Sequence, residues 1–455
     1  MKSGAWREAW LFAAAALAAR LAVVAWAAHA RFPAVEDGHF YDTLARRLAS
    51  GAGYTWLWPD GAVTNAAHYP VGYPALLGAV YGLFGASPVV AGIMNAAIGS
   101  LGVFAAYRLL DVATTRTAAR IGTIVFALHP ALLAYTPAVM TEGVTASLVV
   151  VAVWLASDAR ASTRPWAWHV LAGVALGVAT LVRPQSLLVA PALGALAFAA
   201  GAGWKRRAGG ALVVSAIAIA CCLPWTARNC AKMDRCALVS MNGGWNLLIG
   251  ARSTRGGWAP VEPPPEACRE VWSESQKDLC FERAARAEIA NDPRAWLAKA
   301  PAKLGATFDY FGAAPWYLHA SNAIAFPDRA KTALGSVETV VARLLLLVAL
   351  LRVAMLEGPR TWPRRALAAA GAIAVVMVHA WIAYLVLAAA IALLGRRRLA
   401  ELPLLVPWTA VIIAATALTH AAFFGAGRYG LVVVPFVTAL AFVGRTERAS
   451  PMPPL

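Results

Sequence analysis

Along the chain, apolar residues come in long runs separated by short clusters of arginine and lysine. Runs of roughly 17–25 apolar residues match the thickness of a bilayer core. Such runs lie near 8–29, 86–109, 117–136, 138–156, 166–182, 184–203, 208–225, 333–355, 402–421 and 429–444. A 29-residue run, 366–394, fits one long tilted helix or a tight hairpin of two. The Arg396-Arg397-Arg398 cluster that follows belongs on the cytoplasmic side, which favours the hairpin. The pattern predicts an all-α polytopic membrane protein with about twelve crossings, eleven to thirteen at the limits.

Composition strengthens this reading: 60% of the 455 residues are hydrophobic and only 14% are charged. One soluble domain cannot hide so many spanning-length runs. A net charge of +17 would suit a nucleic-acid partner, but its distribution argues against one. The cations cluster between apolar runs, at Arg116 and Arg120, Arg160 and Arg164, Lys205-Arg206-Arg207, Arg360, Arg364 and Arg365, Arg396-Arg397-Arg398, and Arg445 and Arg448. That is the positive-inside pattern, and anionic membrane lipids are the partners it implies. Lys2 and Arg7 before Trp10–Ala28 have the form of a signal sequence, read here as an uncleaved first transmembrane helix because further spans follow. The expected organisation is a membrane module over 1–225 with an outer loop at 31–70, an extracytoplasmic segment at 226–332, and C-terminal membrane helices over 333–455.

Within the first outer loop, Tyr41–Leu48 is a short helical stretch closed by Ser50-Gly51-Ala52-Gly53. Pro70–Phe84 is apolar but too short to cross, so an interfacial helix is expected there. In the long polar segment, turn signals at Asn242-Gly243-Gly244, Arg255-Gly256-Gly257 and Pro263-Pro264-Pro265 precede a helical stretch near 268–290. Asn291-Asp292-Pro293 then ends one helix and caps another from 294. The same segment holds Cys230, Cys236, Cys268 and Cys280, an even number in a compartment that would be oxidising. Pairing Cys230 with Cys236 and Cys268 with Cys280 is the simplest of three connectivities. A four-cysteine zinc site is the rival, but neither pair has its usual spacing. Cys221 and Cys222, at the end of a span, read as packing residues.

Chemistry is expected in the outer loops. Glu36-Asp37 lies just beyond the first span, near the bilayer surface but within reach of water. Adjacent carboxylates repel, which favours uptake of a proton by one of them, as a general base needs. By local sequence alone, an ordinary solvated acidic turn is the better explanation of the pair.

A resemblance singles out this loop. Asp37-Gly38-His39-Phe40-Tyr41-Asp42-Thr43-Leu44-Ala45 and Leu48-Ala49-Ser50-Gly51-Ala52-Gly53-Tyr54 resemble the first outer loop of the GT-C glycosyltransferases. The likeness is to the bacterial branch related to protein O-mannosyltransferases and aminoarabinose transferases. Further segments resemble that family in the same order: His68-Tyr69-Pro70-Val71-Gly72-Tyr73-Pro74, Met140-Thr141-Glu142, Arg183-Pro184-Gln185, Pro224-Trp225-Thr226-Ala227-Arg228-Asn229, Asn242–Gly250, and Gly427-Arg428-Tyr429 with Pro435. Two departures stand out. Tyr69-Pro70-Val71 replaces a Lys-Pro-Pro common in these enzymes, removing a phosphate-contacting lysine that His68 is placed to replace, and Gln185 stands where an acid is usual.

The resemblance implies transfer of a sugar from a polyprenyl-phosphate donor to an acceptor hydroxyl of a lipid, glycan or protein. It implies a bacterial inner membrane and a site facing outward, with Asp37 as the base. Such a displacement needs a group to take the hydroxyl proton and cations to hold the departing phosphate. Glu142 is open to two roles, positioning the acceptor or helping to bind a divalent cation. No metal-ligand set is read from the sequence, and the lipid-linked sugar is the only other cofactor-like molecule implied. Arg183, Arg228 and Arg428 fall on the outer face, where arginine should be scarce, and a guanidinium there clamps phosphate bidentately. Snorkelling to lipid headgroups is the ordinary alternative for each. Glu36, Tyr41, His68, Tyr73 and Tyr429 are the neighbouring candidates for substrate contact. Rival functions are a transporter or flippase of lipid-linked sugars, a related polymerase or ligase, and a non-catalytic scaffold. A transporter would show inverted repeats and mid-membrane charges; no repeat is evident, and Arg20 and His379 are nearly alone at span centres.

Overall fold

The computed structural model describes residues 3–262 and 264–444. Lys2, Pro263, Arg445 and Arg448, invoked above, lie outside them. Among the described residues, seven helices are long and apolar enough to cross a membrane. They are Gly4–His29, Pro88–Ala113, Glu142–Ala159, Pro165–Val182, Trp204–Lys232, Asp328–Met355 and Leu405–Ala422. An eighth is counted if Ala380–Ala392 is joined to Gly395–Glu401, across a bend of 91°. The architecture is therefore all-α and multi-span, apart from one short hairpin.

Differences from the expected runs have local causes. The run 117–136 divides into Arg116–Ala127 and Pro130–Leu133, because Pro130 offers no N–H to continue the first helix. Residues 134–141 then run as turns, and the next helix starts only at Glu142. The run 184–203 ends early, as a 3-10 turn Pro184–Val189 followed by the helix Ala190–Leu196. The ambiguous run 366–394 is two helices, Thr361–Val376 and Ala380–Ala392, packed on each other. Val378, at a φ of 64° that a β-branched side chain rarely adopts, marks the turn between them.

The first loop forms the helix Asp37–Ala49, longer than expected by a turn at its start, and is followed by the short apolar helix Gly72–Phe84. Between them, Thr55–Leu57 and Val63–Asn65 pair as an antiparallel hairpin, in register Thr55 with Asn65 and Leu57 with Val63. Its turn residues, Pro59-Asp60-Gly61, had no place in the all-α expectation, although Gly61 adopts the φ of 85° such turns require. The long segment contains Gly243–Arg252, Glu274–Asn291, Pro293–Ala298, Ala300–Phe308 and Ala313–Ser321. Asp292 caps its helix by accepting from the Ala295 N–H at 2.9 Å. Disulfides join Cys230 to Cys236 and Cys268 to Cys280, while Cys221 and Cys222 are free and Cys222 is buried.

The two loop regions are tied to each other by a half-buried and a buried acid, Glu274 and Asp278. The Glu274 carboxylate accepts from Trp56 Nε1 at 2.5 Å, the Ala67 N–H at 2.6 Å and the His68 N–H at 2.9 Å. Asp278, one turn on, accepts from the Gly244 and Trp245 N–H groups and pairs with Arg235 at 2.8 Å. First loop and long loop are thereby fastened above the same end of the helix bundle.

Candidate active site

Asp37 is the first residue of its helix, so its carboxylate lies at the positive end of the helix dipole. Glu36 precedes it at a φ of 54°, and this turn sends the two acids apart: Glu36 is exposed and Asp37 half-buried. Gly38 lets the helix start press on the segment that leads to Glu142. A Cβ there would lie 2.7 Å from the Val139 carbonyl oxygen. Val139 N–H in turn donates to Tyr317 Oη at 3.1 Å.

Two carboxylates and two guanidiniums alternate across the resulting cleft. Arg428 Nη2 meets Asp37 Oδ2 at 2.6 Å, and its Nε lies 3.5 Å from Glu142 Oε1. Arg183 Nη1 meets the same Glu142 oxygen at 2.6 Å and also donates to Thr141 Oγ1 at 3.2 Å. The other Glu142 oxygen accepts from Tyr135 Oη at 3.1 Å. Glu142 is 4% exposed in its side chain against 30% for Asp37, so the glutamate is held while the aspartate is open to water. Tyr69 donates to Asp37 Oδ1 at 3.3 Å. Burial and the adjacent Asp37 carboxylate push the Tyr69 phenol well above its usual range, which keeps it a donor.

Arg183 and Arg428 both lie over the Tyr429 ring, at 4.7 and 5.2 Å from its centroid. That ring stacks on His420 at 4.6 Å. Gln185, with its amide oxygen turned to the guanidinium, accepts from Arg183 Nε and Nη2 at 2.8 and 3.0 Å. A neutral amide oxygen thus serves where an acid was expected.

Below these charges lies a cavity. Glu142, Arg183, Gln185, Arg428 and Tyr429 form its polar rim. Thr145, Thr416 and Thr419 come next, and Val149, Val189, Ile412 and Val432 are also in its walls. Val149 is seven residues along the helix from Glu142, about 10 Å deeper at 1.5 Å per residue. Charge at one end and aliphatic wall further in match an amphiphile with an anionic head.

Other expected contacts are placed elsewhere. Arg228 is spent on the first loop, donating to the Ala66 and Tyr54 carbonyls at 2.7 and 2.9 Å and lying over Trp225. Tyr73 is fully buried and bonds Asn95 at 3.2 Å, away from the charged cleft. Tyr41 is buried beside Asp37, with its ring edge-on to Tyr69. His68 packs between Tyr69 and Trp245. Burial lowers its pKa below the usual 6.5 despite the pull of Glu274, Asp278 and Asp37. Five residues given no role above belong to the cleft: Tyr69, Tyr135, Thr141, Gln185 and His420. Three of them, Tyr69, Thr141 and Gln185, sit inside motifs already quoted, whereas nothing local marks Tyr135 or His420.

Among the described residues no three His, Cys, Asp or Glu side chains come together as a metal site. Arg428 stands between the two carboxylates, so this donor set does not fit a divalent cation as it stands.

Residues 68–227 match the sequence model of a family described as dolichyl-phosphate-mannose-protein mannosyltransferase. Over this stretch, about a third of the chain, the sequence is similar to that family. Glu142 and Arg183 lie within the matched stretch; Asp37 and Arg428 lie outside it. No curated protein matches the chain. Among solved structures, the oligosaccharyltransferase AglB of Archaeoglobus fulgidus, in complex with an inhibitory peptide and a dolichol-phosphate, aligns at 15% identity and a TM-score of 0.46, covering 94% of this chain and 50% of that one. ArnT of Cupriavidus metallidurans bound to undecaprenyl phosphate aligns at 15% identity and a TM-score of 0.39, covering 95% and 77%. A further structure of the Archaeoglobus enzyme, complexed with Zn and sulfate, aligns at 14% and 0.41, covering 87% and 50%. The chain thus spans about half the length of the archaeal enzymes it matches.

Proposed function

We propose that the protein transfers a sugar from a polyprenyl-phosphate donor to an acceptor hydroxyl, with Asp37 as general base. The observation that carries this reading is Arg428, held between Asp37 and Glu142 at the charged rim of an amphiphilic cavity. The donor's phosphate sits on Arg428 and Arg183, and its prenyl chain runs down past Val149, Val189 and Ile412. A phosphate arriving at Arg428 competes with Asp37 for the guanidinium and leaves the aspartate free to accept a proton. The acceptor oxygen then bonds to the anomeric carbon as the bond from that carbon to the phosphate oxygen breaks. The hydroxyl proton passes to Asp37, and the two arginines neutralise the departing polyprenyl phosphate. Glu142 acts as the fixed counter-charge that orients both guanidiniums. Tyr429 and Tyr69 orient Arg428 and Asp37 respectively, Tyr41 and His68 back the loop, and Glu36 faces the solvent from which the acceptor comes. Arg228 and Tyr73 support the loop rather than touch substrate. The acceptor is a lipid, a glycan or a protein.

Twelve crossings follow if the shorter helices 116–133, 184–196, 361–376 and 427–443 join the seven long spans and 380–392. Every arginine cluster then falls on one face and the Asp37 cleft on the other, as in a bacterial inner membrane with a periplasmic site. The division at 225 and 332 separates membrane helices from the outer segment under the same topology.

The decisive experiment is transfer from a labelled polyprenyl-phosphate sugar in membranes containing Asp37→Asn. Turnover should fall by about 10²–10⁴, the range for loss of a general base. A correctly folded variant with wild-type turnover removes Asp37 from the chemistry.

A further inference from the structure

A second cavity lies against the other face of the Glu142–Ala159 helix. Arg20, Asn95, Gly99, Tyr135, Thr136 and Ser147 supply the wall residues that matter here. Arg20 is 4% exposed and stands about 13 Å below the His29 end of its helix at 1.5 Å per residue. One side of its guanidinium is occupied: Nη1 donates to the Leu132 carbonyl at 3.2 Å and to Thr136 Oγ1 at 3.1 Å. The opposite edge is not. Nε is buried without a partner, and among the described residues no carboxylate pairs with this arginine.

The neighbours leave that edge free. Gly99 lies over the flat face of the guanidinium rather than its edge: a Cβ there would be 2.8 Å from Nε, 3.1 Å from Cζ and 3.2 Å from Cδ. Asn95 is already committed, donating to the Thr136 and Ala138 carbonyls and accepting from Tyr73. Ser147 donates to the Gly143 carbonyl. A guanidinium buried at membrane depth without a counter-charge is costly, and such residues there generally meet an anion or a polar path. The Nε–Nη2 edge offers two parallel N–H groups, the geometry that matches two oxygens of one oxyanion.

We propose that this cavity is an anion site, in which the free edge of Arg20 holds a phosphate group. That chemistry can arrive as free phosphate or as the phosphodiester of an anionic lipid. The site is separate from the Arg183–Arg428 rim, and it does not depend on the reaction proposed above. Its occupant would stiffen the Leu132–Thr136 segment that Arg20 already holds, and with it Tyr135, whose hydroxyl bonds Glu142.

The test uses the full chain, purified in detergent and stripped of lipid, as wild type, Arg20→Met, Gly99→Ala and Arg428→Gln. Thermal unfolding and native mass spectrometry are followed with added inorganic phosphate, with phosphatidylglycerol, and with neither. Arg428→Gln, in which the proposed donor-phosphate rim is impaired, should still bind one anion and unfold at higher temperature with it, and wild type should bind at least that one. Arg20→Met and Gly99→Ala should bind at least about tenfold more weakly, as expected for loss of one bidentate charge-assisted contact. A response to inorganic phosphate alone assigns the site to the free ion, and a response to phosphatidylglycerol alone assigns it to a lipid headgroup. The proposal is overturned if neither probe binds, if Arg20→Met and Gly99→Ala bind as wild type does, or if only Arg428→Gln loses the anion. Gly99→Ala keeps the charge but presses on the face of the guanidinium and displaces its free edge, so it tests the site even if Arg20→Met fails to fold.

Discussion

Replacing Arg428 with glutamine isolates the cation on which the proposed reaction depends. The side chain touches Asp37 at 2.6 Å and stands 3.5 Å from Glu142, while Arg183 keeps its own contact with Glu142 at 2.6 Å. Glu142 therefore retains one cation and the Tyr135 hydroxyl, and Asp37, 30% exposed, can turn to water. The fold should survive, with a stability loss of about 1 kcal/mol or less, because partly exposed pairs are screened. Catalysis should not survive so easily. Loss of one preorganised group facing developing charge costs about 2.7–4 kcal/mol, or about 10²–10³ in kcat. Arg428→Lys should fall between the two, since a point charge cannot reach both carboxylates as a planar fork does. The assay is transfer in proteoliposomes over a range of donor concentrations, with unfolding temperature measured on the same preparations. If Arg428→Gln keeps kcat within about threefold of wild type while folded, the arginine does not stabilise the departing phosphate, whatever its place in the cleft.

Other expectations follow from the same contacts. Glu142→Gln should lower thermal stability by about 3–5 kcal/mol, because it leaves Arg183 charged and buried without its partner; the double variant with Arg183→Met should regain stability but not activity, and equal stability of both would refute the pairing argument. Glu274→Ala strips the acceptor from Trp56 and two loop N–H groups, so limited proteolysis should cut residues 55–68 faster in the variant, with the same cutting pattern counting against the clasp. The His68 imidazole has a folded pKa lowered below 6.5 by burial, so the unfolded chain binds the proton more readily. Its contribution to stability is complete above pH 6.5 and is lost as pH falls below that value; His68→Phe should flatten this part of the unfolding profile, and an unchanged slope would assign it to another group.

Much of the framework is legible in the chain itself. A bilayer leaves no partner for backbone polar groups except the helix's own, so apolar runs of spanning length become helices and arginine clusters sort the loops. Local signals at Asp292 and at the glycines after Leu48 also worked, because capping and turn chemistry act within a few residues. At 366–394 one apolar run satisfies either a long helix or a hairpin; the arginines after it favoured the hairpin, and two helices are what form.

The cleft is a different matter. Asp37 and Arg428 are 391 residues apart, and only folding brings them to 2.6 Å. Motif likeness pointed to both, and yet it also pointed to Arg228, whose guanidinium goes to two loop carbonyls. No sequence rule separates an arginine that clamps a loop from one that faces a ligand, because the same five donors serve both ends. Glu36 and Asp37 looked equivalent as neighbours in sequence. One backbone turn, at a φ of 54°, sends the first to solvent and sets the second at a helix start facing Arg428. Composition and periodicity determined that this protein lives in a membrane. Resemblance singled out Asp37 over Glu36, and what only the tertiary structure decided is which charges meet it, because Arg428 reaches it through folding alone.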